Sequence, residues 1–513
     1  MLRKIRIALA TIFFLGIVLL FVDFTGMAHV WLGWMAKIQF LPAVLALNVA
    51  VIVLLLLLTL VFGRVYCSVI CPLGIMQDLF AAMGRKAKKN RYSYSKAKNW
   101  LRYPVLVVFV VLVALGFTGI ASLIAPYSAF GRIAESLLQP LWMWGNNLCA
   151  MAAEHFGSYA FYSVDVWMKS LPVIIVAAVT LVVVAILAWR GGRTYCNTIC
   201  PVGTVLGFVS RFSLMKPVID TSKCNSCGLC ARKCKASCIN AKEHSIDYSR
   251  CVVCMDCLEN CRQGALRYVW AAKCKCGSAC SGKCETEGKA TEPKAESEAK
   301  KAETVDTGRR AFMAGTALAI GAAAYAKGEM KVDGGLAAIT DKTPAKRRTR
   351  IVPPGALSIS NLEQHCTGCQ LCISECPNGV LRPSTSLMTL MQPEMSFERG
   401  FCRPECTRCA DVCPTGAIKP ITREVKASTQ IGHAVWIQHN CVAVHNDYPC
   451  GLCARKCPVG AIELVPFTHK GRESMVPAID EERCIGCGKC ENLCPARPFS
   501  AIYVEGHQVQ HEV

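Results

Sequence analysis

The sequence predicts a chain of mixed class: an α-helical membrane domain of four transmembrane helices, followed by small α+β domains folded around cysteines, with a fifth hydrophobic helix between two of them. Three observations predict it. Four apolar runs fall within the first 190 of 513 residues, each long enough at helical rise to cross a hydrocarbon core or nearly so. The 34 cysteines fall largely in triplets closed by a fourth, which in so long a chain fits metal ligation better than a disulfide scaffold. The hydrophobic fraction is 53%, above that of ordinary soluble domains.

The chain opens MLRKIRIALATIFFLGIVLLFV, three basic residues ahead of an apolar run. No small-residue cleavage site follows, and a second run (residues 41–62) comes soon after, so the expectation is an uncleaved first helix with a cytoplasmic N-terminus. Residues 104–125 and 171–189 supply two more spans. The loop 85–102 carries eight Lys or Arg and no acid, which marks it as cytoplasmic. Residues 126–170 hold Arg132 and Lys169 as their only Lys or Arg, with several Trp and Tyr, as an outer-face connection would. Four helices with both ends of the helical domain inside follow.

An internal repeat closes the second and fourth spans. GRVYCSVICPLG from Gly63 and GRTYCNTICPVG from Gly192 are identical at eight of twelve positions. Both copies sit at the cytoplasmic end of a helix, so Cys67, Cys71, Cys196 and Cys200 are expected to converge on one metal or redox site. Two chemistries stay open there, a further iron–sulfur centre and a redox dithiol pair. The plain alternative is a Gly/Cys/Pro turn that ends a helix, but a turn calls for no cysteine pair in each copy.

Residues 224–261 read CNSCGLCARKC, sixteen residues, then CVVCMDCLENC. Two tandem C-x₂-C-x₂-C-x₃-C runs resemble a bacterial two-cluster ferredoxin, in which each run gives three ligands to one [4Fe–4S] cube and its fourth to the other. Zinc motifs come as pairs of CxxC rather than as triplets closed by a fourth cysteine. The resemblance assigns Cys224, Cys227, Cys230 and Cys261 to one cluster, and Cys251, Cys254, Cys257 and Cys234 to its partner. One departure stands out: Cys234 is followed by Lys235 where such runs usually carry Pro, which leaves nearby Cys238 as a competing ligand.

The domains follow from these landmarks. Residues 1–215 are the membrane domain with its two CxxxCP motifs, and 216–272 the two-cluster domain. Residues 273–305 are a tail carrying Cys274, Cys276, Cys280 and Cys284, then a Glu/Lys/Ala/Thr linker too polar to bury a core. The four tail cysteines suit a metal, with a chance cluster or a redox-active tail as the alternatives. Residues 306–327 include Arg309, Arg310 and Phe312 ahead of an Ala/Gly-rich apolar run, which resembles a twin-arginine export signal and is expected to act as a signal-anchor helix.

Residues 345–513 carry four more runs. Crossing the fourth ligands as before gives Cys366, Cys369 and Cys372 with Cys413; Cys402, Cys406 and Cys409 with Cys376; Cys441, Cys450 and Cys453 with Cys494; and Cys484, Cys487 and Cys490 with Cys457. A proline follows each fourth cysteine here and stops the short helix before it. His365, His439 and His445 lie near these cysteines and are expected to be capping or solvent-facing rather than ligands.

Residues 1–268, with four spans, two CxxxCP motifs and a double ferredoxin, resemble the NapH-type membrane subunit of the quinol dehydrogenase that serves periplasmic nitrate reductase. From VPPGALS (352–358) to residue 504 the chain resembles the exported NapG-type partner, itself likened to the ferredoxin-like protein of methylamine utilisation. The resemblance implies six [4Fe–4S] clusters forming an electron wire, quinol as substrate, and the membrane quinone pool and a periplasmic reductase or cytochrome as partners. It implies a multi-pass protein of the bacterial inner membrane, its first ferredoxin domain cytoplasmic and its C-terminal one periplasmic. Six clusters bring the formal charge from +21 to about +9. The excess beside apolar spans suits an anionic membrane surface, and no nucleic-acid module is present. Three rival readings are a cytoplasmic ferredoxin:quinone exchanger, a maturation factor that reduces a metal ion or disulfide through its CxxxCP motifs, and a redox sensor.

Overall fold

The computed structural model of the protein describes residues 1–87, 92–270, 340–446, 449–469 and 471–513. The tail cysteines, the linker and the twin-arginine-type segment with its fifth helix lie outside the described residues. Among the described residues, two helices are long and apolar enough to cross a membrane, Leu2–Val22 and Leu171–Gly191, each of 21 residues. Val49–Phe62 and Asn99–Ala114 are apolar but shorter.

The two middle spans depart from the sequence expectation. The run 41–62 is broken into Phe40–Leu45 and Val49–Phe62. Leu47 sits at φ 51°, and the Asn48 side chain caps the new helix by accepting from the Val51 N–H at 3.3 Å. Apolar character alone reads through such a break, because it carries no information on capping. The run 104–125 stops at Ala114: Gly116 turns left-handed at φ 83°, and a short helix, Thr118–Ala121, follows.

Leu2–Val22, Asn99–Ala114 and Leu171–Gly191 each run from the first cysteine-rich module to the second. At the start of Leu2–Val22, Arg3 pairs with Asp256 at 2.8 Å; just past its end, the Thr25 carbonyl accepts from Arg408 at 2.9 Å. Buried Arg102, in Asn99–Ala114, donates to the Ser249 carbonyl at 3.1 Å, and Thr118, beyond that helix, donates to the Cys366 carbonyl at 2.7 Å. Ahead of Leu171–Gly191, Lys169 donates to the Ile373 carbonyl at 2.9 Å; after it, the Arg193 N–H donates to the Lys235 carbonyl at 2.9 Å. A 21-residue helix rises about 30 Å, so the two modules cap opposite ends of a bundle about as deep as a hydrocarbon core.

The first module is framed by antiparallel strands Met215–Ile219 and Leu266–Trp270, with an inner hairpin of Ile239–Asn240 and Ser245–Ile246. The last two cysteine runs repeat this plan, Thr429–Trp436 pairing with Ile502–Glu512 around the hairpin Ile462–His469 and Arg472–Ile479. The preceding pair of runs is braced by Leu381–Pro383 against Pro393–Met395. One hydrophobic core is continuous from the helices into this preceding pair, joining Phe21, Tyr127 and Phe130 to Cys369, Leu371 and Ile373. The first module and the last two runs keep cores of their own.

Candidate metal centres

The spacing of each run dictates its local shape. The first two cysteines lie on a loop, the third opens a helix of four or five residues, and the fourth follows that helix. Cys230 lies in Leu229–Lys233, Cys257 in Asp256–Glu259, Cys372 in Leu371–Ser374, Cys409 in Arg408–Asp411, Cys453 in Leu452–Arg455 and Cys490 in Lys489–Leu493. The loop enters four of these helices through a left-handed residue, Gly228 and Gly488 without steric penalty, Met255 and Gln370 at a cost of about 1 kcal/mol.

The cysteines gather in the crossed sets. Cys224, Cys227, Cys230 and Cys261 line one cavity. Cys376 lines another with Cys402, Cys406 and Cys409, and Cys457 a third with Cys484, Cys487 and Cys490. Cys413 acts electrostatically on Cys366, Cys369 and Cys372, and Cys494 on Cys453 beside Cys450 and Cys441. Cys234 joins Cys251, Cys254 and Cys257, and this cavity also holds Cys238, whose Sγ is 3.5 Å from Cys234 Sγ. The fifth cysteine is thus within reach of the same group.

Burial pushes Cys369 and Cys453 up to about 11 and Cys254 and Cys487 to about 12, with neighbouring cysteine charges adding to the rise, whereas hydrogen bonds with Cys238 hold Cys234 and Cys251 down. Such a nest of thiolates is sustained only around a cationic core that replaces their protons. Among the described residues no group of His, Cys, Asp and Glu is arranged to hold a single metal ion. A cube takes one thiolate at each of four iron corners, and four cysteines line each of the first three cavities. The all-cysteine donor sets therefore fit [4Fe–4S] cubes. The Cys402 N–H donates to the Cys487 carbonyl at 2.9 Å, which ties one candidate cluster loop directly to the next.

The CxxxCP repeats meet inside the helical domain. Cys67, Cys71, Cys196 and Cys200 are all buried and close enough for each to feel the charge of others. The two copies exchange arginines. Arg64 reaches the Cys196 carbonyl at 3.4 Å and Cys67 Sγ at 3.7 Å, while Arg193 reaches the Cys67 carbonyl. The last glycine of each repeat permits this: a Cβ on Gly74 would stand 2.4 Å from the Cys67 carbonyl and one on Gly203 2.3 Å from the Cys196 carbonyl. Gln77 adds a donor to Cys196 Sγ at 3.2 Å, and Arg193 Nη2 and Arg64 Nε are buried without a partner among the described residues. Four thiols ringed by two buried guanidiniums suit an anionic sulfur-ligated centre. The sequence reading missed Arg64, Arg193 and Gln77, although the Arg recurs as the second residue of both copies. Of the histidines, His365 Nδ1 bonds the Asn361 carbonyl at 3.0 Å.

The site lies on a packed route between the modules. Arg64 also donates to the Ser249 carbonyl at 3.1 Å in the first module. On the far side Tyr195, beside Cys196 and Cys200, donates to the Ile124 carbonyl at 2.7 Å. Ser122 approaches Gly368, next to Cys369, in the second.

A family described as "4Fe-4S binding domain" matches residues 44–91 and 170–219, the two CxxxCP segments. Families described as "4Fe-4S dicluster domain" match 365–429 and 448–497. The methylamine utilization ferredoxin-type protein MauM of Methylobacillus flagellatus is 31% identical over 31% of this chain and 69% of its own length. MauM of Paracoccus denitrificans is 30% identical over 36% of this chain and 82% of its own length. The ferredoxin-type protein NapG of Escherichia coli is 29% identical over 32% of this chain and 77% of its own length. No solved structure matches. Together these matches identify iron–sulfur sites in an electron-transfer protein of ferredoxin type.

Proposed function

Since the chain belongs to the family of MauM ferredoxin-type proteins, we propose that it is a membrane-bound electron carrier that takes electrons from quinol and passes them through a chain of [4Fe–4S] clusters toward a periplasmic redox protein. The observation that carries this reading is the placement of the two cysteine-rich modules at opposite ends of the apolar helices, with the four-cysteine CxxxCP site between them. Cubes exchange single electrons with little rearrangement, so a row of them conducts where they are spaced closely enough. A gap of about 30 Å between modules is too long for one hop, and a redox centre at Cys67, Cys71, Cys196 and Cys200 would divide it.

In this reading the N-terminal half is NapH-like and inserted in the inner membrane with four spanning segments. The loop 85–102 and the first module face the cytoplasm, and the C-terminal module faces the periplasm behind its twin-arginine-type anchor. The clusters' ligands are the six crossed sets, and the acceptor is a periplasmic reductase or cytochrome.

Thiol labelling of the C-terminal module in intact spheroplasts, mirrored in inverted vesicles, tests it. Labelling from the outside of spheroplasts is expected, with the first module labelled only in inverted vesicles. Labelling of both modules in inverted vesicles alone would replace this reading with cytoplasmic ferredoxin:quinone exchange.

A further inference from the structure

A cavity of about 570 Å³ lies between the helical domain and the C-terminal module, within the size range of small-molecule sites. Cys376 and Pro377 face it from the module, Val173 and Ile174 from the helix Leu171–Gly191, and Glu135 and Met143 from the segment 134–155. Its rim carries Tyr162 and Met168, both well exposed, the amphipathic composition that suits a bilayer interface.

Glu135 faces the cavity because the chain is irregular there. Residues Ala134–Leu138 form a π-helical turn, and Pro140 follows, with no N–H to return to the carbonyl of Ser136. The Glu135 carboxylate is buried, its Oε1 2.9 Å from Lys169 Nζ and its Oε2 2.8 Å from Ser136 Oγ. A buried ion pair stabilises less than an apolar pair of the same size, so packing alone does not account for it.

We propose that this cavity binds quinol, with Glu135 as the residue that takes its protons. The proposal rests on the quinol-oxidising reading above and names its site. The apolar walls suit the ring and its tail, the carboxylate accepts from a hydroxyl, and Lys169 donates to the carbonyl that hydroxyl becomes. Oxidation of one quinol breaks two O–H bonds and yields the quinone. Its two protons pass in turn to the Glu135 carboxylate and from there to water. Its two electrons leave one at a time past Cys376, to the cluster that Cys376 shares with Cys402, Cys406 and Cys409, and on along the clusters.

The test uses the full cluster-loaded chain in detergent, with menadione as the binding probe and menadiol as the reductant. Menadione binding is read as quenching of tryptophan fluorescence, since Trp167 lines the cavity, and cluster reduction as bleaching of the iron–sulfur absorbance. Val173→Phe and Ile174→Phe, which fill the cavity, are each expected to weaken menadione binding at least tenfold at unchanged iron content. Glu135→Gln is expected to keep binding within about threefold and to slow menadiol-driven reduction at least tenfold. If menadiol fails to reduce the wild-type clusters, the quinol-oxidising reading falls and the site with it. If the wild type is reduced and all three variants, iron-loaded, bind and are reduced as it is, the site alone is overturned.

Discussion

Lys235 Nζ lies 3.5 Å from Asp78 Oδ1, so the first module is pinned to the helical domain by the residue that stands where ferredoxin runs usually carry a proline. Lys235 also pairs with Asp256 at 3.0 Å, and Asp78 with Arg193 and Arg6 at 2.9 and 3.0 Å. Burial opposes ionisation of Asp78, yet Arg193 and Lys235 outweigh it and hold the carboxyl well below the usual range. Asp78→Asn leaves buried cations short of their counter-charge, a loss of about 3–5 kcal/mol. The expected result is a lower thermal midpoint and earlier proteolytic release of the first module. Lys235→Met, which keeps the volume, is expected to loosen the module while leaving its iron in place; loss of iron instead would make Lys235 a support of the Cys234 ligand.

The crossing of fourth ligands gives a sharper test. Cys413→Ala is expected to abolish the paramagnetic signal of the cube held by Cys366, Cys369 and Cys372 and to spare the one held by Cys402, Cys406 and Cys409. The opposite pattern would show that each run keeps its own fourth cysteine.

Iron content separates the readings of the CxxxCP site. Six cubes carry about 24 iron atoms, and a seventh between Arg64 and Arg193 would raise the total to about 28. The double variant Cys67→Ala, Cys196→Ala is expected to lower the total by about four if the site holds a cube, and to leave it unchanged if the four thiols act as a dithiol pair.

What the sequence made legible is what repeats. Six runs that share a C-x₂-C-x₃-C ending place their third cysteine on a helix and their fourth beyond it, so grouping needs only the two-cluster pattern and no long-range geometry. The CxxxCP copies betray their convergence in the same way. What it hid depends on segments far apart in the chain. Glu135, Lys169 and Cys376 meet in one cavity across 241 residues of sequence, and no local pattern links them. The break at Leu47 and Asn48 was hidden too, because hydropathy averages across a left-handed residue and a cap. Lys235 was visible, but as a missing proline; its ion pairs needed the partner surface.

A pH dependence is concealed at the seam between the helical domain and the C-terminal module. His29 Nε2 lies 3.3 Å from Glu375 Oε1. Burial lowers His29 from 6.5 to about 4, and burial, helped by Asp23, raises Glu375 from 4.5 to about 7. Between roughly pH 4.5 and 6.5 the folded pair therefore holds one proton, on Glu375, and the unfolded pair also holds one, on the histidine. Stability changes with pH only where the two states bind different numbers of protons, so this pair leaves it flat. Glu375→Gln removes one side: the unfolded histidine then binds a proton that the folded one does not, and stability rises with pH through this window. His29→Gln removes the other: the folded Glu375 keeps a proton that the unfolded one has lost, and stability falls as pH rises toward 7. Each slope is on the order of 1 kcal/mol per pH unit. Thermal midpoints of the three proteins at pH 5.0 and 6.5 are expected to diverge in opposite directions from a level wild type. Parallel slopes in both variants would mean that the two groups do not share a proton.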